Sequence, residues 1–462
     1  MIFLGLLFIV LYLIIYIKTF TNISKGKFEY ILYFICLALP FYATLQAQIF
    51  EIFKSELLVN AIKFSKDLIF FYALLVFLIG KNESIITRSF NFSFLDKLVL
   101  GFAVLILFYT LIPLGEADFF SKVIYAKNIL LIPLVYSIGR NLELSDEICI
   151  NLKKIFLIII ASSSVFVFFE FIFSTHFHTL IDYASYNSIV NEIDPQGNYG
   201  LSWSFEGQGA RPRYAAFFAD PLELSASLLL LFSFILFFFY NKNNTYYLIP
   251  LLLVFFLLLM SFSRGAIVAC FGIVLFSLLI HKKYITLTKI FFTSLIIFLL
   301  LFNFGGKELQ YLIIDTLKFE NTSSLGHLIE WIEGILSILE NPFGIGLAMS
   351  GNAGGVDQSL KVGGENQFLI IGVQMGVLTL IVYSLILFFV ITRSIKSYNS
   401  SINLNKKHVS FIVACTKFGL ILPLLTANAE LYLFVSLVTW LLAGYVEKIY
   451  LKHQLEKNKS IY

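Results

Sequence analysis

Apolar runs recur along the chain at about 1–17, 29–49, 67–80, 95–114, 122–139, 154–173, 215–240, 246–261, 264–280, 289–304, 366–392, 409–427 and 431–447. Most are long enough to cross a hydrocarbon core of roughly 30 Å as a helix, so the pattern predicts an all-α, polytopic membrane protein of about 13 transmembrane helices. The run at 67–80 is short and is expected to begin earlier, within Ile62 to Lys66, or to be partly re-entrant. Met1 to Ile17 has neither a basic start nor a small-residue cleavage site and reads as a retained span. With no internal repeat and no low-complexity linker, one membrane domain over 1–462 is the simplest description.

Two polar stretches are too long to be simple turns, 174–214 and 305–364. Lys18, Lys25 and Lys27 follow the first run; Lys81, Arg88 and Lys97 the third; Arg140, Lys153 and Lys154 the fifth; Lys242 the seventh. Lys282, Lys283 and Lys289 follow the ninth, Arg393, Lys396, Lys406 and Lys407 the eleventh, and Lys448, Lys452, Lys457 and Lys459 form the tail. These alternating segments are therefore expected in the cytoplasm, with both long loops and the Ser261 to Arg264 turn on the outer face. Composition agrees with the pattern, since a chain 59% hydrophobic and 13% charged is too apolar for an ordinary soluble globule. The net charge of +4 adds little, and the 52 Phe and 24 Tyr are ordinary for lipid-facing helices. Cys36, Cys149, Cys270 and Cys415 show no CxxC spacing and read as buried apolar side chains.

Candidate chemistry gathers on the expected outer face. Ser261-Phe262-Ser263-Arg264-Gly265-Ala266 leaves an arginine between two apolar runs. A charge at bilayer depth costs roughly 2.5–3.5 kcal/mol even on lenient scales, so it is usually kept to face a cavity, a partner or an anion. A snorkelling anchor is the plainer alternative. In Arg211-Pro212-Arg213 an extended backbone would point both guanidinium groups the same way, suited to clamping phosphates or to anchoring on anionic lipid. Asp220 and Glu223 stand close after them and are expected to pair with these arginines.

The second loop carries Gly326 to Leu339, whose apolar positions follow a helical period and end at Asn341-Pro342. An amphipathic helix lying on the membrane face is expected there. Gly344, Gly346, Gly351, Gly354, Gly355, Gly363 and Gly364 then make a pliant segment. It ends in Glu365-Asn366-Gln367, with Glu365 either a proton acceptor or a capping group at the start of the eleventh span. His176, His178 and Asp182 fall short of a usual metal-ligand set, so no metal and no other cofactor is expected. Nothing suggests nucleic-acid binding.

Taken in order, Arg-x-Arg before Asp220-Pro221, Ser263-Arg264-Gly265, Trp331, Asn341-Pro342-x-Gly344-x-Gly346 and Glu365-Asn366-Gln367-Phe368-Leu369 before Gly376-Val377 resemble the O-antigen polymerase and ligase superfamily. The resemblance covers about residues 205–392. It implies a metal-independent, inverting glycosyltransferase of the membrane-embedded C type, acting outside the bacterial cytoplasmic (inner) membrane on undecaprenyl-diphosphate-linked sugars. It implies as partners the lipid-linked oligosaccharide and membrane lipid, with a chain-length regulator and a flippase beside them. Arg264, Arg211, Arg213 and Lys127 would contact diphosphate, and Asn366 belongs to the same substrate-binding set. Where the family pattern has Arg-x3-Trp, this chain has His327-x3-Trp331, so either His327 takes over a phosphate contact or the arginines suffice. Ligases commonly carry His-Asn where this chain has Glu365-Asn366, which favours a polymerase with Glu365 as base over a ligase. A transporter of lipid-linked sugar or a small anion is the third reading, although no inverted repeat is visible.

Overall fold

The computed structural model describes residues 2–79, 92–191, 195–207, 210–242, 245–318, 322–351, 356 and 360–459. Lys81, Arg88, Gly354 and Gly355, which figured in the sequence reading, lie outside the described residues. Among the described residues the fold is all-α apart from a two-residue antiparallel ladder, Glu206–Gly207 against Arg211–Pro212. Among the described residues, ten helices are long and apolar enough to cross a membrane, and Leu248–Ser261 and Arg264–Ile280 are shorter apolar helices. The run expected at 67–80 belongs to the helix Glu56–Ile79, which starts well upstream and bears charge on its inward face. Among the described residues each expected run falls on a helix, but ten rather than about 13 are long and apolar enough to cross a membrane, the runs at 67–80, 246–261 and 264–280 falling short.

Burial is uneven. Pro221–Lys242 and Leu433–Lys459 are enclosed by neighbours, whereas Tyr284–Phe304 buries none of its residues and offers its apolar surface all round. Within the core a few polar groups pin helices together. Asp96 accepts from Tyr136 Oη at 2.8 Å and from both Nε and Nη2 of Arg140 at 3.0 and 3.1 Å, joining Phe94–Leu111 to Phe119–Gly139. Glu430, in the turn between the last two spans, accepts from Tyr383 Oη, Ser436 Oγ and Trp440 Nε1 at 2.7, 2.6 and 2.8 Å. The fully buried Lys417 stands 3.7 Å from the same carboxylate. Breaking such a buried pair by removing one partner typically costs about 3–5 kcal/mol, because the other charge is left uncompensated.

The helix Gln367–Ser400 is broken at Gly376, whose φ of 76° and ψ of 174° are not helical. The break is filled by the Asn341-Pro342-Phe343-Gly344-Ile345-Gly346 segment. Val377 N–H donates to Pro342 O at 2.9 Å, while Ile345 and Gly346 donate to Val373 O and Gln374 O at 2.8 and 3.1 Å. A Cβ at Gly376 would lie 2.5 Å from Pro342 O, and one at Gly344 2.5 Å from Gln374 O. Glycine at both positions is what lets two backbones touch and satisfy the polar groups that the break exposes. Gln374 completes the joint, accepting from Ala348 N–H at 2.7 Å and donating to Tyr125 Oη at 2.6 Å.

Candidate functional site

The Ser261-Phe262-Ser263-Arg264 turn is shaped by its own sequence. Phe262 takes left-handed φ of 50°, ending one helix, and Ser263 caps the next by accepting from Ala266 N–H. Arg264 is therefore the first residue of its helix and is solvent-exposed. The long loop before it is stitched to the same turn: Arg213 Nε donates to Ser261 O at 2.9 Å, and Tyr214 N–H to Met260 O at 3.1 Å. Two guanidinium groups far apart in sequence are brought to one place, and burial together with the charge of Arg264 lowers the pKa of Arg213 against the pull of Asp220.

Asp220 accepts from Leu222 and Glu223 N–H, both at 2.7 Å, so it caps Pro221–Lys242 while facing Arg213. Burial pushes its carboxyl up and Arg213 opposes the shift. The pairing expected from sequence is not formed as a contact: Asp220 only feels the charge of Arg213, and Glu223 accepts from Ala219 N–H at 3.1 Å instead. Tyr432, half-buried in the turn beside Glu430, stands within the electrostatic reach of Asp220, Glu223, Arg213 and Glu365.

From the other long loop, the helix Thr322–Glu340 brings His327 against Glu365, with His327 Nδ1 contacting the carboxylate. That contact raises the pKa of His327 against its burial, while Arg264 lies close enough to oppose it. The carboxylate of Glu330, one turn along from His327, is raised first by burial and then by the charge of Glu365, and its Oε1 stands 3.8 Å from Lys361 Nζ. Asn366, not Glu365, caps Gln367–Ser400: its Oδ1 accepts from Phe368 and Leu369 N–H at 3.0 and 3.3 Å. The glutamate is thereby left to face His327. Trp331 Nε1 and Gln367 Oε1 are buried without a hydrogen-bond partner.

The structure thus brings Arg213, Arg264, His327 and Glu365 into one electrostatic group, with Asn366 beside it as a cap. Arg211 is exposed on the short ladder. Lys127 does not pair with this group; it is bonded to Asp67 at 2.6 Å. Glu330 and Tyr432 were not singled out from sequence. The one-turn spacing of Glu330 from His327 on a polar helix face was the available signal for the first; for Tyr432 it was only the position of its turn on the same face as Arg264.

His176 and His178 have structural roles. His178 Nε2 bonds Phe218 O at 2.7 Å, while His176 packs against Tyr199, Phe205 and Tyr214. Burial lowers their pKa values to about 4 for His176 and about 3 for His178. Asp182 accepts instead from Ser185 Oγ at 2.7 Å.

As a whole the site presents guanidinium groups next to a histidine–glutamate pair, a combination able to hold an oxyanion and receive a proton. Residues 249–384 match the O-antigen ligase family profile. The match takes in Arg264, His327, Glu365, Asn366 and the Gly376 break, and leaves Arg211, Arg213 and Lys127 outside it. It is consistent with the O-antigen polymerase and ligase superfamily and supports a role in surface-polysaccharide assembly. No curated protein matches the chain.

Proposed function

With its 249–384 segment matching the O-antigen ligase family, a multi-pass membrane protein of surface-polysaccharide assembly, we propose that this chain is a polysaccharide polymerase rather than a ligase. The hydroxyl at the non-reducing end of a lipid-linked repeat unit attacks the anomeric carbon of the growing chain. The bond from that carbon to undecaprenyl diphosphate breaks, and a single displacement inverts the centre. Negative charge grows on the departing diphosphate, where the Arg264 guanidinium, backed by Arg213, stabilises it without rearranging. Glu365 accepts the hydroxyl proton, and His327 orients its carboxylate and adds positive charge when protonated. The active face is the extracytoplasmic one, by the lysine and arginine bias of the opposite loops.

The observation that carries this reading is the convergence of Arg213, Arg264, His327 and Glu365 from four separate segments. A ligase acting on a lipid A-core acceptor is the second reading, supported by the description of the matched family. Mass spectrometry of lipid-linked glycans from a deletion strain separates the two. Accumulated single-repeat lipid is expected; full-length lipid-linked polymer would assign the ligase reading instead.

A further inference from the structure

The turn between the last two spans, residues 426–433, touches three segments around the candidate site. A Cβ at Gly265, next to Arg264, would lie 3.9 Å from Thr426 Oγ1, and one at Gly351 would lie 3.3 Å from Asn428 Nδ2. The Leu433 N–H is within hydrogen-bonding reach of the Glu223 carboxylate, on the helix that Asp220 caps. The turn is also mounted on the core, because Glu430 is held by Tyr383, Ser436 and Trp440, with Lys417 3.7 Å away. Tyr432 stands between these fastenings and is half-buried. Among the described residues its hydroxyl has no hydrogen-bond partner. It lies beyond the 249–384 segment that matches the family profile.

Tyr432 is within electrostatic reach both of Arg213, from the first long loop, and of Glu365, at the end of the second. Single displacement at an anomeric carbon fixes the order of the groups, because the entering and leaving bonds must be in line. The base lies beyond the attacking hydroxyl, the cations lie beyond the departing oxygen, and the sugar ring sits between them. A group that reaches both ends is therefore beside the ring. As the bond to the diphosphate breaks, the ring gains oxocarbenium character, and hydrogen bonds from the substituent next to the anomeric carbon strengthen. An acceptor already oriented there stabilises the transition state more than the ground state.

We propose that Tyr432 is a further catalytic residue, whose Oη accepts a hydrogen bond from the hydroxyl or acetamido N–H beside the anomeric carbon during the displacement. No proton moves along this bond. The electron pair of the broken carbon–oxygen bond leaves with the diphosphate, and the proton of the incoming hydroxyl goes to Glu365. The role rests on glycosyl transfer from a lipid diphosphate, the step that the polymerase and ligase readings share, and it holds for either acceptor.

The test uses the purified full-length protein and the lipid-linked repeat unit extracted from the deletion strain, with release of undecaprenyl diphosphate as the rate. Tyr432→Phe is expected to lower kcat by about 10–100-fold and to leave KM within about twofold. Its melting temperature should match the parent's, since the lost hydroxyl bonds no protein group. The second arm compares the repeat unit with one deoxygenated beside the anomeric carbon. The parent's preference for the complete substrate should shrink in Tyr432→Phe by the same factor as kcat. That preference is a ratio within one preparation, so it is independent of how much of a variant folds. The proposal is overturned if Tyr432→Phe works within about twofold of the parent. It is also overturned if the variant loses melting temperature along with activity, or if it keeps the parent's preference between the two substrates. A parent that releases the lipid only when a lipid A-core acceptor is supplied replaces the polymerase reading by the ligase one, and the same loss in Tyr432→Phe then supports the residue's role. A parent that releases none with either acceptor overturns glycosyl transfer itself, and the role of Tyr432 with it.

Discussion

His327 meets the carboxylate of Glu365 through its Nδ1, so a residue from the Thr322–Glu340 helix and one from the foot of a membrane span form an ion pair when the histidine is protonated. The contact raises the pKa of His327 above its ordinary 6.5. A raised pKa means that the pairing stabilises the fold fully below the ordinary histidine value, and that this contribution is lost as pH rises through the raised one.

The pair therefore carries a prediction with a sign. The melting-temperature gap between the parent and Glu365→Gln should be widest on the acid side of pH 6.5 and should shrink as the solution becomes alkaline. A gap that widens with pH would show that the histidine is not held protonated by Glu365. In the same variant, polymerisation is expected to fall by about 10²–10⁴-fold, the usual contribution of a positioned base.

Arg264 distinguishes a phosphate fork from a membrane anchor. Lysine keeps the charge but loses the planar, bidentate geometry, so Arg264→Lys should cost nearly as much polymerisation as Arg264→Ala, about 10²–10³-fold. Polymer length and membrane abundance are the measurements. A lysine variant at normal abundance that works within a few fold of the parent would reduce the residue to an anchor.

Gly376→Ala puts a Cβ 2.5 Å from Pro342 O at a φ of 76°, a backbone region that residues with a Cβ avoid. The substitution should destabilise the protein by about 1–3 kcal/mol and loosen the Pro342–Gly346 strap. A thermal shift assay in detergent reads this directly. An unchanged melting temperature would mean that the two backbones can part at no cost.

Topology is open to labelling. Glu340 and Ile402 are both exposed, Ile402 at 95%, and lie on opposite sides by the lysine and arginine bias. An impermeant maleimide applied to spheroplasts should label Glu340→Cys and spare Ile402→Cys. The reverse pattern would turn the protein over and place the arginines in the cytoplasm.

Much of the fold was legible because hydropathy acts locally: the runs at 1–17 through 431–447 needed only their own residues to be read as helices. Arg264 and Glu365 stood out for the same reason, each being a charge at the end of an apolar run. What lay beyond reach was pairing. His327 and Glu365, or Asp67 and Lys127, meet only after helices pack, and no periodicity within either segment encodes its partner. Capping shows the limit at single-residue scale. Glu365 and Asn366 are neighbours and either could serve the helix start, but the asparagine does so and frees the acid.

The Ser174 to Tyr214 loop is fastened near both ends. Glu170 accepts from Phe177 N–H at 2.8 Å and from Ala216 N–H at 3.1 Å, and Arg213 is bonded to the turn of Arg264. Between those fastenings, additions at exposed positions lengthen the loop at a small entropic cost without moving the two guanidinium groups relative to one another. On the proposed polymerase reading, the architecture would separate inheritance into two compartments: a fixed grip on the feature common to every lipid-linked donor, and exposed loop positions in which new sugar preferences could arise while the grip stays as it was.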